Sequence, residues 1–224
     1  PRTVRTGHVR CPVRFGDAMQ ATVLPTNLPA RRTVLIGRET ELAAVRELVL
    51  QNEGRLVTLT GAGGSGKTSL ALEVGRSLLG EFPDGVRLAE LAPLAERLVR
   101  EAGEVHVLAT SRESFRTEGE RVYRLFPLDC PPQRDGLSMA DILAYPASQL
   151  FVERIAESLS EFELSEEDAP LVADICRRLD GIALAIELAA GRVNAYGIAG
   201  TASLLDSRFS LLWRGRPPAI TPPP

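Results

Sequence analysis

Gly61-Ala62-Gly63-Gly64-Ser65-Gly66-Lys67-Thr68 follows the run Arg55-Leu56-Val57-Thr58-Leu59-Thr60 and precedes a stretch with Leu70, Val74 and Leu78 on one helical face. The short β-branched run reads as a buried strand feeding a tight loop. The spacing after the loop predicts a helix from Thr68 to Phe82. Strand, glycine loop and helix in that order fit the pattern G-x-x-x-x-G-K-[ST]. Each residue type has a physical reason. Successive N–H groups must point inward at phosphate oxygens, and glycine allows that backbone without a Cβ clash. A helix starting near Gly66 adds its positive dipole end. Lys67 can reach β- and γ-phosphates, and the Thr68 hydroxyl can ligate Mg²⁺. Gly61, Gly63, Gly64, Ser65, Gly66, Lys67, Thr68 and Ser69 are therefore expected to hold a nucleoside triphosphate or diphosphate, with Thr68 on the metal ion. A glycine-rich turn with a chance lysine would explain the motif but not its context.

Working outward, residues 40–52 carry apolar side chains at helical spacing. Gly85 to Leu91 alternate like a strand, 94–102 read as a short helix, and Val105 to Thr110 and Arg121 to Leu125 have strand character. Strands alternating with helices predict a parallel sheet with crossovers. After Pro131-Pro132 the pattern changes. Residues 148–158, 166–179 and 183–194 are helical with no strand between them, and Ser165 with Asp168 resembles a capping box. The expected fold is α/β: a P-loop NTPase-type parallel sheet followed by a small all-helical subdomain. The expected division is a linker or basic arm at 1–30, a nucleotide-binding domain at 31–132, a helical subdomain at 133–212 and a proline-rich tail at 213–224.

A hydrophobic fraction of 44% with 25% charged residues places the chain among soluble globular proteins, large enough to need no staples. Net charge is −3, which gives no general attraction to nucleic acid or anionic membranes. Arg2, Arg5, Arg10 and Arg14 against the single acid Asp17 make a basic arm, read as a linker rather than a nucleic-acid clamp. Cys11, Cys130 and Cys176 lack metal-type spacing, which argues against a disulfide framework and suits a reducing cytoplasm. There is no signal peptide and no apolar run of transmembrane length. The chain opens on Pro1 rather than Met, so it is expected to be a fragment or a processed form.

Four stretches in order resemble the STAND class of P-loop NTPases, of the NB-ARC type found in bacterial SARP-like and LuxR-like multidomain transcription regulators. They are Leu35-Ile36-Gly37-Arg38-Glu39-Thr40-Glu41, Leu56 to Leu72, Val107-Leu108-Ala109-Thr110-Ser111-Arg112-Glu113, and Cys176 to Ala190. The resemblance runs from about Asn27 to about Leu212. It implies that Ile36 and Arg38 sit near base and ribose, that Arg112 faces the γ-phosphate, and that Gly181 to Leu184 close over adenine. The bland alternatives are a helix-start arginine at Arg38, a surface pair of Arg112 with Glu113 or Glu118, and plain helix packing around a Gly181 C-cap.

Two departures from that family stand out. Its members carry an apolar Walker B strand ending in Asp, yet only residues 92–104 separate the two strand-like segments here, and Pro93 and a helix use them. Leu125-Phe126-Pro127-Leu128-Asp129 fits superficially, but Pro127 breaks it. The expected result is a reduced sheet of about four strands, with Val86 to Leu91 in the vacated place or, failing that, an open edge. The second departure is Ala183 where the family usually has proline, which keeps the helix but removes a rigid ring from the expected adenine contact.

The resemblance therefore implies an ATP/ADP-binding regulatory switch whose further effector and sensor domains lie outside this chain, with hydrolysis weak or absent. The alternatives are an active ATPase and a degenerate nucleotide-binding scaffold. Direct DNA binding would need a recognition helix beside a basic face, and Arg177-Arg178 alone does not supply one.

Overall fold

The structure is a computed structural model that describes residues 26–30, 34–51, 55–89, 97, 101–102, 104–134, 136–159 and 161–214. The expected arm at 1–25, most of the helix expected at 94–102 and the tail from 215 lie outside the described residues. The chain is mixed α/β. Helix α1 (Glu39–Leu50) leads to strand β1 (Leu56–Thr60), which runs through the glycine loop into α2 (Lys67–Ser77). Strands β2 (Val107–Thr110) and β3 (Glu120–Arg124) follow. Helices α3 (Met139–Leu143), α4 (Pro146–Ser158), α5 (Ala169–Arg178) and α6 (Ala183–Arg214) complete the chain.

Among the described residues the sheet has three strands, in the order β2-β1-β3, all parallel. Every residue of β1 is buried, as expected of a central strand covered on both faces. Leu56 pairs with Val107 on one side and Glu120 on the other, so the three carboxyl ends point the same way.

Of the fourth strand expected at Val86 to Leu91, the described residues, 86–89, are not in the sheet. Val86 makes an isolated parallel bridge with Thr26. The Asn27 side chain donates to the Leu88 carbonyl (2.8 Å) and accepts from its N–H (2.6 Å). One amide supplies both the donor and the acceptor a neighbouring strand would have offered. Leu28 and Val86 then settle over Gly75 of α2, where the absent side chain leaves room for them.

The helices follow local chemistry. Ser138 and Asp141 form a reciprocal capping box that starts α3, a helix the apolar periodicity is too short to reveal. Ser165 and Asp168 bond in the expected way, Asp168 N–H to Ser165 Oγ at 3.1 Å, but the pair closes a turn ahead of α5. Helix α6 runs well past the expected residue 194 and breaks at Gly197, whose φ of 67° is non-helical.

Two main cores result. One lies under the sheet and holds Val45, Val57, Leu59, Leu70, Val74 and Leu125. The other lies among the last helices, around Phe151, Ile155, Val172, Ile175 and Ile186. Leu35 packs against the first and its neighbour Ile36 against the second, so this short segment joins them.

Candidate functional site

The loop Gly61–Thr68 leaves the carboxyl end of β1 and turns directly into α2, with Gly66 in the left-handed region at the helix start. The first N–H groups of α2 have no intrahelical partner, so those of Lys67, Thr68 and Ser69 face the loop's concavity. Ser65 is buried, and its Oγ has no protein hydrogen-bond partner. Lys67 Nζ folds back to donate to the carbonyls of Gly61 (3.0 Å) and Ala62 (2.8 Å). The loop thus holds a cation, a row of donors and an orphaned hydroxyl in a space of a few ångströms. That set fits a polyphosphate group.

A cavity of about 570 Å³ opens above this loop. Gly64, Ser65, Gly66, Lys67, Thr68 and Ser69 form its floor. Ile36 and Arg38 line one side, and Ala183 and Leu184 of α6 line the opposite one. Its volume is within the range of sites that enclose a small organic ligand or cofactor. The helical part touches the loop directly, because the Leu184 N–H donates to the Gly64 carbonyl at 3.0 Å. A side chain on Gly64 would meet Leu184 Cβ at 3.0 Å, so glycine is what permits this close approach.

Nine of the residues expected from the sequence therefore gather around one cavity. Three do not line it. Gly61 contributes its carbonyl to Lys67 from below, while Gly63 faces open space. Arg112 is exposed in a bend beyond β2, away from the cavity lining. Arg38 lines the cavity, but its guanidinium is engaged. It pairs with the Glu41 carboxylate and donates to the Phe126 carbonyl at 2.7 Å, pinning the segment after β3 beside α1.

Sequence reading missed several lining residues. Leu72 and Arg76 stand one and two turns beyond Thr68 on α2, so i+4 spacing from the motif could have found them. Glu187 stands at i+4 from Ala183. Arg154 comes from α4 and carried no local signal. Its Nε donates to Glu187 at 3.1 Å and its Nη1 to Glu157 at 2.7 Å, making a charged lattice across the α4–α6 wall. Glu73 pairs with Arg76 at 3.1 Å on the other wall.

No family model matches the chain. It is 28% identical over 268 residues to an uncharacterized protein of Mycobacterium tuberculosis, which takes in 95% of this chain and 64% of the relative. An uncharacterized protein of Mycobacterium bovis matches to the same extent. It is 30% identical over 225 residues to a "Putative HTH-type transcriptional regulator" of Mycobacterium tuberculosis, taking in 76% of this chain and 24% of that relative. The chain thus spans less than two thirds of the length of these curated relatives. In both matches the aligned stretch exceeds the part of this chain it takes in. Of 224 residues, 95% is about 213 against 268 aligned, and 76% is about 170 against 225 aligned. Either way about 55 aligned positions carry no residue of this chain.

Among the described residues no helix is long and apolar enough to cross a membrane. No group of three or more His, Cys, Asp or Glu side chains comes together there as a metal site.

Proposed function

We propose that the chain is an ATP/ADP-binding switch module of the STAND P-loop type, with Mg²⁺ carried in on the nucleotide and hydrolysis weak or absent. The observation that carries the reading is the cavity above the Gly61–Thr68 loop, floored by unpaired donors and walled by the helical core. Lys67 releases its two loop carbonyls and turns to the β- and γ-phosphates. The N–H groups of Gly64, Gly66 and the first turn of α2 donate to the phosphate oxygens, and Ser65 Oγ gains the partner it lacks. Thr68 supplies one oxygen to the metal ion. Ile36, Leu72, Leu150 and Ala183 offer an apolar wall to the base.

Weak turnover follows from the carboxylates at hand. Glu73 and Glu187 are the acids of the cavity lining, and each is tied to an arginine. Neither is free to orient a water or hold the metal as a Walker B acid would. Because a relative carries a transcriptional-regulator name, the proposed output is a regulatory domain of a larger protein, outside this chain. Closure and opening of the helical wall over the nucleotide would set that output.

Calorimetric titration of the chain with ADP and ATP, with and without Mg²⁺, tests the reading. Lys67→Ala should weaken binding about tenfold to a hundredfold, the cost of one charge-assisted contact. Phosphate release should stay near background. Brisk release that Lys67→Ala abolishes would establish an ATPase instead, and no binding at all would leave a scaffold.

A further inference from the structure

We propose that Glu187, on the helical wall of the cavity, accepts a hydrogen bond from the nucleoside half of the ligand, from a ribose hydroxyl or the exocyclic amino group of the base, and so sets which nucleotide the site prefers. The proposal rests on the nucleotide reading above and names a specificity residue within it.

Two ion pairs have both members in the cavity lining, and they are built differently. On α2, Arg76 binds Glu73 and also donates to the Pro29 carbonyl at 2.7 Å, so that pair ties the wall to the segment before it. On the α4–α6 wall, Arg154 keeps 11% of its side chain exposed and Glu187 keeps 41%. The guanidinium is the covered member, and the carboxylate is the one left open. Arg154 Nε donates to Glu187 Oε1 at 3.1 Å, and its Nη1 turns to Glu157 at 2.7 Å. Glu187 Oε2 accepts no hydrogen bond among the described residues. The bond that denies Glu187 a metal role thus holds its carboxylate still, with one oxygen unspent.

What that oxygen can take follows from its charge and its place. A carboxylate paired with a guanidinium only accepts. A phosphate is repelled by it, so the polyphosphate stays on the loop with Lys67 and the first N–H groups of α2. The bond from Leu184 N–H to Gly64 sets the start of α6 on that loop. Glu187 lies three residues further, about 4.5 Å along the helix axis, a step shorter than a nucleotide. Leu150 and Ala183, both proposed against the base, stand four residues before Arg154 and Glu187 on the same helix faces. The charged pair is therefore the next layer of the wall that meets the nucleoside. On that half of a nucleotide, the groups complementary to a carboxylate are the ribose hydroxyls and a base amino group.

Calorimetric titration of the whole chain with ADP, 2′-deoxy-ADP, 3′-deoxy-ADP and inosine diphosphate reads the contact as ratios of affinity. The wild type should bind at least one of the three analogues about tenfold to a hundredfold more weakly than ADP, the range for a hydrogen bond to a charged group. A loss with a deoxy analogue assigns the donor to ribose, and a loss with inosine diphosphate assigns it to the base. Glu187→Ala should weaken ADP by a similar factor and bring that ratio close to one. Glu187→Gln keeps the volume and a neutral acceptor, so it should give a ratio in between, and it carries the comparison if alanine unfolds the wall. A purely structural role does not move the ratio, because an unfolded fraction lowers every affinity alike. A wild type that binds all four ligands alike, or a ratio that survives both changes at Glu187, overturns the proposal, while ADP binding weakened by Lys67→Ala keeps the nucleotide reading. A wild type that binds neither ADP nor pyrophosphate removes the reading and the proposal together.

Discussion

At Gly181 the helical part closely approaches the chain leaving the sheet. The glycine's φ is +65°, and a Cβ there would lie 2.0 Å from the Leu128 carbonyl oxygen. The same peptide accepts the Leu128 N–H at 2.9 Å, so neither partner can retreat without losing a bond. Gly181→Ala should cost more than about 1 kcal/mol in urea denaturation, since alanine dislikes this backbone before any clash is counted. Gly63, with open space around its Cα, should tolerate alanine with little change in that measurement. A second residue-scale consequence concerns Cys176. Burial, aided by the nearby Cys130, pushes its thiol up to about 12. At pH 8 it is a neutral thiol inside the helical core, so iodoacetamide followed by peptide mass mapping should label it only after unfolding. Labelling of the native chain at Cys176 would contradict that burial.

At the scale of elements, Glu120 shows how β3 is held. Its carboxylate accepts the N–H groups of Phe115 (2.9 Å) and Arg116 (2.7 Å), fixing the turn that delivers the strand. Burial alone would raise its pKa, but these backbone donors outweigh it and hold the carboxyl below its ordinary value. A depressed pKa stabilises the fold above the unfolded-state value of about 4.5 and loses that contribution as pH falls through the lower folded value. Glu120→Gln should therefore lower the urea midpoint at pH 7 and leave it nearly unchanged at acid pH, so the variant's pH dependence flattens. Elements of this kind were partly legible. The strand Leu56–Thr60 and helix Lys67–Ser77 could be read because a central strand and a loop-anchored helix each impose an unambiguous pattern. The alternation at Val86 to Leu91 misled, because Asn27 satisfies Leu88 from 61 residues away and no local pattern records that. Arg112 stands outside the cavity lining, because a motif position fixes the end of a strand but not where a long side chain lies. Arg154 was invisible because its place in the cavity depends on how α4 packs.

At the scale of the whole molecule, the cavity has walls of unequal dependence. Its floor, Gly64 to Ser69, belongs to the sheet core, while Leu150, Arg154, Ala183, Leu184 and Glu187 stand on the helical core. The two meet through single backbone bonds such as Leu184 N–H to Gly64 O, so loosening one core need not dismantle the other. Phe151 offers a way to separate them, being fully buried in the helical core and absent from the cavity lining. Phe151→Ala should cost about 3–5 kcal/mol of stability in that core. If the proposed site is right, the loss opens the base-facing wall and spares the phosphate-facing floor. Pyrophosphate and ADP then become diagnostic probes. Phe151→Ala should weaken ADP binding while leaving pyrophosphate binding close to wild type, whereas Lys67→Ala should weaken both. Thermal melts should agree: saturating ADP stabilises by about 2.7 kcal/mol at a hundred times its Kd, and Phe151→Ala should shrink that gain by weakening the affinity. Equal losses for pyrophosphate and ADP in Phe151→Ala would mean that the two cores form one cooperative unit. The helical wall could not then open over a loop that stays intact, and the switch would have to work by global unfolding or not at all.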